Sequence, residues 1–424
     1  MAGKKGEIPA HVTEKQFNHP GVKYPVIQIL NEVEDPRQPS LFFVYSLTSV
    51  LFMTLIAVLC GGTDWPKVVV IATSMKDWLG QYVDMKGGVP CERTFKTIFN
   101  SINPTQLEEA LRALSSAISK PIPNDVISFD GQTARGTADK YKDLRGIHLL
   151  HAWSSGNGIC LGQLTVDEKS NEITATPRLM DLLDLKETII TADALNTQKD
   201  IAAKAIEREA DYLLPVKKNH PSLYENIDLI FESLDQEQDE AKSLLEYSLK
   251  KARAQRDESR LQQLLSTKLP KDKISYFETV EKNRGRIEIR ECTAIPVGLL
   301  PDRDLWKNLT SLVRIDRKRI QGEKESSETT YYITSLPADA NVIANAARLH
   351  WGVENNLHWR LDVVLRQDKS RYRDRIGASN LAVIRKFALH ALSREDSLKG
   401  GVATKQCAAC CDPEYRTRVI KNLF

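Results

Sequence analysis

The stretch that begins after Pro121 and Pro123 constrains the fold more than any other part of the sequence. Three short apolar runs, at 126–131, 147–153 and 159–166, have the length of β-strands, and a turn sequence rich in serine and glycine separates the last two. Runs of this kind, joined by so short a turn, pair with their neighbours in opposite directions. We therefore predict an antiparallel meander in this part of the chain.

Helix and strand patterns alternate beyond the meander. A charged segment at 220–265 is typical of a solvated helical hairpin, and a long helix is predicted from Asn341. Three strands followed by alternating helices and strands predict a mixed α/β sheet. The further predicted helices lie at 174–183 and 197–208, and the further strands at 188–193, 212–216, 273–280, 286–295, 309–315 and 329–334.

A chain of 424 residues is longer than one ordinary hydrophobic core usually serves, and this length predicts two or three cooperating domains. Helical periodicity up to residue 120 predicts a helical N-terminal domain, in which a helix-turn-helix around 101–103 would bind DNA, although ordinary helix packing is the commoner structure. The predicted division is 1–120 for this helical domain, 121–219 for the first part of the core, 220–335 for an insertion with charged helices and strands, 336–395 for the remaining core helices and 396–424 for a C-terminal tail.

The segment 41–60 is uncharged and about as long as a membrane span. Polar residues such as Tyr45, Ser49 and Thr54 interrupt it, and no cluster of basic residues flanks it closely. We predict a buried helix of the N-terminal domain, with a membrane anchor as the alternative.

Charge and cysteine content limit the partners and the compartment. The formal net charge is +3, so a nucleic-acid surface would have to come from local clusters of lysine and arginine. Seven scattered cysteines and no recognisable secretory leader favour a reducing cytoplasm. Cys407 and Cys410 form a lone Cys-x-x-Cys beside Cys411, and reduced thiols are favoured over a zinc site because no second pair of ligands lies nearby.

Two aspartates follow predicted strands. Asp130 ends the run at 126–131 and Asp193 ends the run at 188–193, which places both carboxylates at the edge of the sheet, where chemistry is often found. Taken singly, each could be a turn or helix-cap residue. The two aspartates indicate a catalytic site only if a third acidic residue joins them.

Glu354 is the candidate third carboxylate. It lies on a predicted helix in which His350, Glu354, His358 and Asp362 recur at four-residue spacing and form one polar stripe. Such a stripe is either a solvated face or a functional one. Three clustered carboxylates would repel each other without a cation, and two bound Mg²⁺ ions are the usual device for phosphodiester cleavage.

Five motifs in order strongly resemble the H-repeat-associated transposases of bacterial insertion sequences. The resemblance runs from about residue 30 to 395. The matching motifs are 130–136 (DGQTARG), 168–173 (EKSNEI), Asp193-Ala194 with Gln198, 211–219 (DYLLPVKKN) and the block 350–362.

This resemblance implies an RNase H-like core in which Asp130, Asp193 and Glu354 form a DDE triad. The triad would be both the catalytic set and the metal ligands, for two Mg²⁺ ions with Mn²⁺ as a substitute. It also implies double-stranded DNA as partner, both the terminal inverted repeats of the element and the target, a homodimer on DNA by analogy, and no membrane association.

Some positions depart from the family pattern. Gln132 stands where lysine is usual, Arg284 where histidine is usual, His220 where glutamine is usual and Gln367 where an acidic residue is usual. The leading hypothesis is an enzyme that cleaves DNA and transfers the strand. The alternatives are a nuclease that does not join strands and a non-catalytic descendant that binds DNA, which the departures motivate.

Basic residues concentrate just after the Glu354 helix, where they could hold the scissile strand by neutralising its phosphates. Runs of arginine are often only solvated, but their closeness to the proposed centre favours DNA contact. An exposed aromatic residue there could stack on an unpaired base. The predicted DNA-binding residues are Lys217, Trp359, Arg360, Arg366, Lys369, Arg371, Arg373 and Arg375.

Overall fold

The structure is a computed structural model that describes residues 25–38, 44–166, 171–254, 274–283, 285–298, 300 and 303–423. The chain forms two compact units. The first unit combines Met1–Thr188 with His350–Phe424, and the second is the intervening Ile189–Leu349.

Among the described residues, six helices precede the first strand of the first unit. Polar caps and prolines fix where several of them begin: the Ser46 side chain accepts a hydrogen bond from the Ser49 amide, and Asn103 caps the helix that opens with Pro104. The helices are α1 (Pro25–Asn31), α2 (Leu47–Leu59), α3 (Trp65–Ser74), α4 (Lys76–Leu79), α5 (Glu92–Ser101) and α6 (Pro104–Ile118).

Helix α2 is mostly apolar and is buried on nearly its whole circumference. Val50, Leu51 and Phe52 have no exposed surface. The prediction of a buried helix is confirmed over Leu47–Leu59, while 41–43 lie outside the described residues. In the part of the chain that the structure describes, no helix is both long and apolar enough to cross a membrane.

The predicted antiparallel meander is confirmed. Strands β1 (Val126–Ala134), β2 (Ile147–Ser154) and β3 (Ile159–Val166) pair in sequence order, with β2 in the middle. Helix α7 (Glu172–Asp181) contacts β2 and β3, and α6 contacts β3.

The chain returns to the first unit at His350. Two π-helical segments, Val353–His358 and Arg360–Val364, precede α11 (Arg375–Arg394), which contacts α2, α5, α6 and β3 and is buried along most of its length. The segment predicted as a C-terminal tail forms two helices, α12 (Val402–Cys411) and α13 (Pro413–Lys421), whose buried residues belong to the same hydrophobic core.

The second unit is a mixed sheet with helices. Strand order is β4-β5-β9-β8-β7-β6, with β4 parallel to β5 and the remaining pairs antiparallel. Its elements are β4 (Ile189–Ala192), α8 (Lys199–Glu207), β5 (Asp211–Val216), α9 (Pro221–Ala254), β6 (Ser275–Asn283), β7 (Arg286–Pro296), β8 (Ser311–Gln321), β9 (Lys324–Thr334) and α10 (Ala340–His350).

The mixed α/β class predicted from the sequence is confirmed. The charged segment differs in part from its prediction, because one uninterrupted helix of 34 residues covers Pro221–Ala254. A partner helix of the predicted hairpin would have to fall in 255–273, which lie outside the described residues.

Candidate active site

Asp130 lies in the middle of β1, on the face that the buried histidine of β2 shares. The register sets Asp130 opposite His151, and residues directly opposite each other in an antiparallel pair point to the same side of the sheet. The Asp130 side chain is 16% exposed, and its Oδ1 accepts a hydrogen bond from the Gly131 amide at 2.9 Å. The sheet thus presents one carboxylate at a partly buried position.

Glu354 lies in the π-helical segment Val353–His358. Val353 and Leu357 are fully buried and anchor the segment to the core, while the Glu354 side chain is 56% exposed. π-Helical turns are uncommon and are frequent at functional sites. The four-residue spacing that predicted one polar stripe keeps Glu354 and His358 in contact here, although the helix is not α-helical.

His358 joins the two carboxylates. Its Nδ1 lies 3.6 Å from Asp130 Oδ2 and 3.5 Å from Glu354 Oε2, and its side chain is only 6% exposed. Donor atoms of the three residues all fall within 4.8 Å of one another, close enough to hold one metal ion, and they are the one such group found in the described residues. Hydrogen bonding from His358 lowers the pKa of Glu354, against the opposing effect of its partial burial.

A second polar layer lies behind this cluster. Gln132 Nε2 donates to the His358 carbonyl at 3.4 Å, and Gln367 Nε2 donates to Gln132 Oε1 at 3.5 Å. Burial, and next the neighbouring charge of Asp368, raises the pKa of Asp362. Gln132 and Gln367, two positions that depart from the pattern implied by the resemblance, therefore contact each other.

Asp193 belongs to the second unit. It follows β4 and caps a short 3₁₀ turn, since its Oδ1 accepts hydrogen bonds from the Asn196 amide at 3.0 Å and from Asn196 Nδ2 at 2.8 Å. Asn219 Nδ2, from the segment after β5, donates to the Ala194 carbonyl at 2.8 Å and ties this turn in place. The structure thus brings Asp130 and Glu354 together, and the place of Asp193 in a triad stays a prediction.

Three cysteines near the C-terminal end lie on one helix of the described structure. Cys407 and Cys411 are exposed and Cys410 is half-buried, all on α12, and they are not among the groups whose ligand atoms come together there.

The sequence of this chain matches two models of known protein families. A family model described as Transposase DDE domain matches residues 121–390, and a second, described as DDE_Tnp_1-associated, matches 27–114. The chain belongs to the DDE transposase family. The resemblance to the H-repeat-associated transposases is confirmed by this match together with the relatives described next.

Two relatives of this DDE transposase chain are similar over nearly their whole length. "Putative transposase YncI" of Escherichia coli O157:H7 is 32% identical over 404 residues, which are 89% of this chain and 93% of the relative. "H repeat-associated putative transposase YhhI" of Escherichia coli (strain K12) is 32% identical over 388 residues, 89% and 92% of the two chains.

Among solved structures, this DDE transposase chain resembles one titled as a piggyBac transposase synaptic complex with hairpin DNA. The identity is 11%, the coverage is 94% of this chain and 78% of the other, and the TM-score is 0.38. A score of this size supports no inference about fold or function.

The predicted DNA-binding residues of this DDE transposase fall into two groups. Arg360 donates to Ser393 Oγ and Asn356 Oδ1, Arg373 pairs with Asp139 at 3.6 Å, and Arg375 donates to the Arg145 carbonyl. The others are exposed: Lys217 and Trp359, together with Arg366, Lys369 and Arg371, whose side chains form no ion pair within the described residues.

Arg366 also has an unusual backbone. Its φ of 50° lies in the left-handed region, which non-glycine residues seldom adopt and which recurs at functional sites. The basic strands of the second unit differ, because their arginines and lysines are paired with acidic residues. These basic residues are Arg286, Arg290, Arg314, Arg317, Lys318 and Arg319, while Arg284 lies outside the described residues.

Proposed function

We propose that this DDE transposase cleaves DNA at the ends of an insertion sequence and transfers the resulting 3′ ends to target DNA, with Asp130, Asp193 and Glu354 as its catalytic carboxylates. The observation that supports the proposal best is the approach of Asp130 and Glu354 to a common neighbour, His358, from distant parts of the chain. Carboxylates this close make chemical sense as a cation site, because their charges otherwise repel.

Membership of the family implies use of a divalent metal, and the donor set fits one. Carboxylate oxygens are the preferred ligands of Mg²⁺, and we propose two Mg²⁺ ions, with Mn²⁺ as a substitute. Cations bound there would activate the attacking hydroxyl and stabilise the leaving oxygen. The protein itself supplies a fixed, partly buried frame: the sheet holds Asp130, and the anchored segment Val353–His358 holds Glu354.

DNA is the proposed substrate and partner. Lys217, Trp359, Arg366, Lys369 and Arg371 are exposed and available to a duplex or an unpaired base. Arg360, Arg373 and Arg375 are also proposed contacts, although they first serve to hold the chain around the Glu354 segment. We propose an RNase H-like core with an insertion between Asp193 and Glu354, and a homodimer that binds paired element ends.

The test is metal-dependent cleavage of DNA that carries the ends of the element, identified as inverted repeats flanking the gene. Asp130→Asn, Asp193→Asn and Glu354→Gln should each lower the cleavage rate at least a hundredfold while leaving thermal stability near that of the parent protein. Asp304→Asn is the matched control, because the Asp304 side chain is 96% exposed and should not affect cleavage.

Cleavage that survives Asp193→Asn would remove that residue from the mechanism. A joining assay with labelled ends distinguishes strand transfer from plain nuclease action. Binding without any metal-dependent cleavage would instead support the DNA-binding descendant.

A further inference from the structure

The loop between β1 and β2, residues 135–146, carries an aromatic ring at its tip. Among the large apolar side chains that the structure describes, Tyr141 is the most exposed, at 97%. A single exposed ring is common on protein surfaces, so the surroundings of Tyr141 decide what it can do.

Hydrogen bonds within the loop hold its tip in one conformation. Asp139 and Leu144 exchange a pair of backbone hydrogen bonds of 2.9 Å each, which closes the tip into a short turn. Asp139 Oδ1 also accepts a hydrogen bond from the Tyr141 amide at 3.1 Å, and at the base of the loop Thr137 Oγ1 accepts one from the Ile147 amide at 2.8 Å. The ring is therefore presented from an ordered turn, which lowers the entropy cost of binding a partner.

The loop is joined to both chain segments that carry the paired carboxylates of the first unit. It continues directly from β1, which holds one of them. The Arg135 amide donates to Asp368 Oδ1 at 3.0 Å, and Arg375 Nη1 donates to the Arg145 carbonyl at 2.8 Å, so the loop is also tied to the segment 366–375 that follows the other. A ligand held by this loop would thus be held in a fixed relation to the proposed catalytic centre.

The side chains around the ring are mainly basic. Arg135, Lys142 and Arg145 are exposed. Of the two acidic residues of the loop, Asp139 is buried and paired with an arginine, and Asp143 is exposed. Exposed cations beside an exposed ring suit single-stranded nucleic acid, which offers phosphates and uncovered base faces together. Contact with the same loop of a second copy is disfavoured, because it would bring like charges together.

We propose that the β1–β2 loop binds unpaired nucleotides at the DNA end, with Tyr141 stacked on a base and Lys142 and Arg145 on the neighbouring phosphates. Neighbouring base pairs cover the base faces inside a duplex, so the ring can stack only where pairing is lost. This inference rests on the proposed function and adds the form in which the DNA end is held.

Fluorescence anisotropy with two DNA probes tests the proposal. One probe carries the inverted repeat as a fully paired duplex, and the other has the same sequence with its last few nucleotides unpaired. The full-length protein is used without divalent metal, so that neither probe is cleaved. Tyr141→Ala should weaken binding of the forked probe about tenfold, the effect of losing one stacked base, and should leave binding of the paired probe nearly unchanged.

Matched variants separate stacking from other effects. Tyr141→Phe keeps the ring and should bind the forked probe like the parent protein. Tyr276→Ala removes an exposed tyrosine of the second unit and should change neither affinity. Lys142→Gln combined with Arg145→Gln should reduce the slope of log affinity for the forked probe against log salt concentration by about 1.4. Thermal melting verifies that each variant is folded.

The outcomes distinguish this inference from the proposed function. If the parent protein binds both probes and Tyr141→Ala binds the forked probe equally well, the inference is wrong and the proposed function stands. Equal weakening on the two probes would place the ring on paired DNA and would also overturn the inference. A parent protein that binds neither probe and does not cleave the paired one with Mg²⁺ would overturn both.

Discussion

Single buried side chains of the first unit hold hydrogen bonds that depend on their charge state. His390 on α11 is buried, and its Nε2 accepts a hydrogen bond from the Cys160 amide at 3.1 Å. Burial, followed by the charges of Lys386 and Arg394, lowers the pKa of His390 to about 3. An acceptor nitrogen must be unprotonated, so acid removes this contact between α11 and β3.

We expect acid to destabilise the protein in part through His390. Its folded pKa of about 3 lies below the unfolded value of 6.5, so between these values the unfolded chain binds one more proton and stability falls as pH falls. At pH 5 the loss from this group is about 2 kcal/mol. Urea unfolding at pH 7.5 and 5.0 measures it, and His390→Gln, whose amide oxygen can accept the same bond, should reduce the difference by about that amount. An unchanged difference would contradict the assignment.

The contact between His358 and His151 shows what sequence patterns leave out at the residue scale. The polar stripe that contains His358 is visible in the sequence, and so are Asp130 and Glu354. Its partner His151 lies 207 positions away in a strand where histidine has no periodic signature. Contacts at such separation arise from folding alone, so the His358–His151 pair could not be predicted.

Elements were predictable where hydrophobic periodicity determines them. The strands β2 and β3 match their predicted ranges closely, and α2 occupies the later part of its predicted segment 41–60, because burial on one or both faces fixes the pattern. The π-helical form of Val353–His358 was not predictable, since residues at four-residue spacing stay neighbours in both helix types. Strand β1 extends to Ala134, three residues past its predicted end, and the motif DGQTARG therefore begins inside the strand.

The end of β1 is packed tightly against the segment after the Glu354 helix. A methyl group at Gly136, the last residue of that motif, would lie 2.5 Å from the backbone carbonyl oxygens of both Asp368 and Ser370. Backbone atoms cannot move aside as a flexible side chain can. Glycine here allows a close approach of two chain segments.

Gly136→Ala should therefore destabilise the protein by about 1–3 kcal/mol, because the added methyl must force the two segments apart. Chemical denaturation gives the change in the free energy of unfolding. Gly401→Ala is the matched control, since no atom lies within 4 Å of the added methyl and its φ of −72° suits alanine. Equal stabilities of the two variants would show that the segments separate at no cost.

On the scale of the whole molecule, the distribution of charge matters more than its small sum. The net charge is +3, yet the basic strands of the second unit are paired internally, whereas Arg366, Lys369 and Arg371 form no ion pair in the described structure. Phosphate contacts release counterions and make binding salt-dependent. The exposed group should dominate that dependence.

We expect Lys369→Gln combined with Arg371→Gln to reduce the slope of log affinity for duplex DNA against log salt concentration by about 2. Fluorescence anisotropy over a range of salt concentrations measures this slope. The control is Arg317→Gln combined with Lys318→Gln, which removes the same charge from residues already paired with Glu328 and Glu325. A larger reduction of the slope in the control would instead assign the DNA-binding surface to the second unit.

The first unit is built from two chain segments that are separated in sequence, and this affects when it can fold during synthesis. When only the first 188 residues have left the ribosome, the nascent chain contains Asp130 and α2 but neither Glu354 nor α11. In the finished protein, α11 contacts α2. Domains usually fold as they emerge, but this one has to wait for its second segment, His350–Phe424, at the end of the chain. A product that terminates before Glu354 therefore lacks the paired carboxylates.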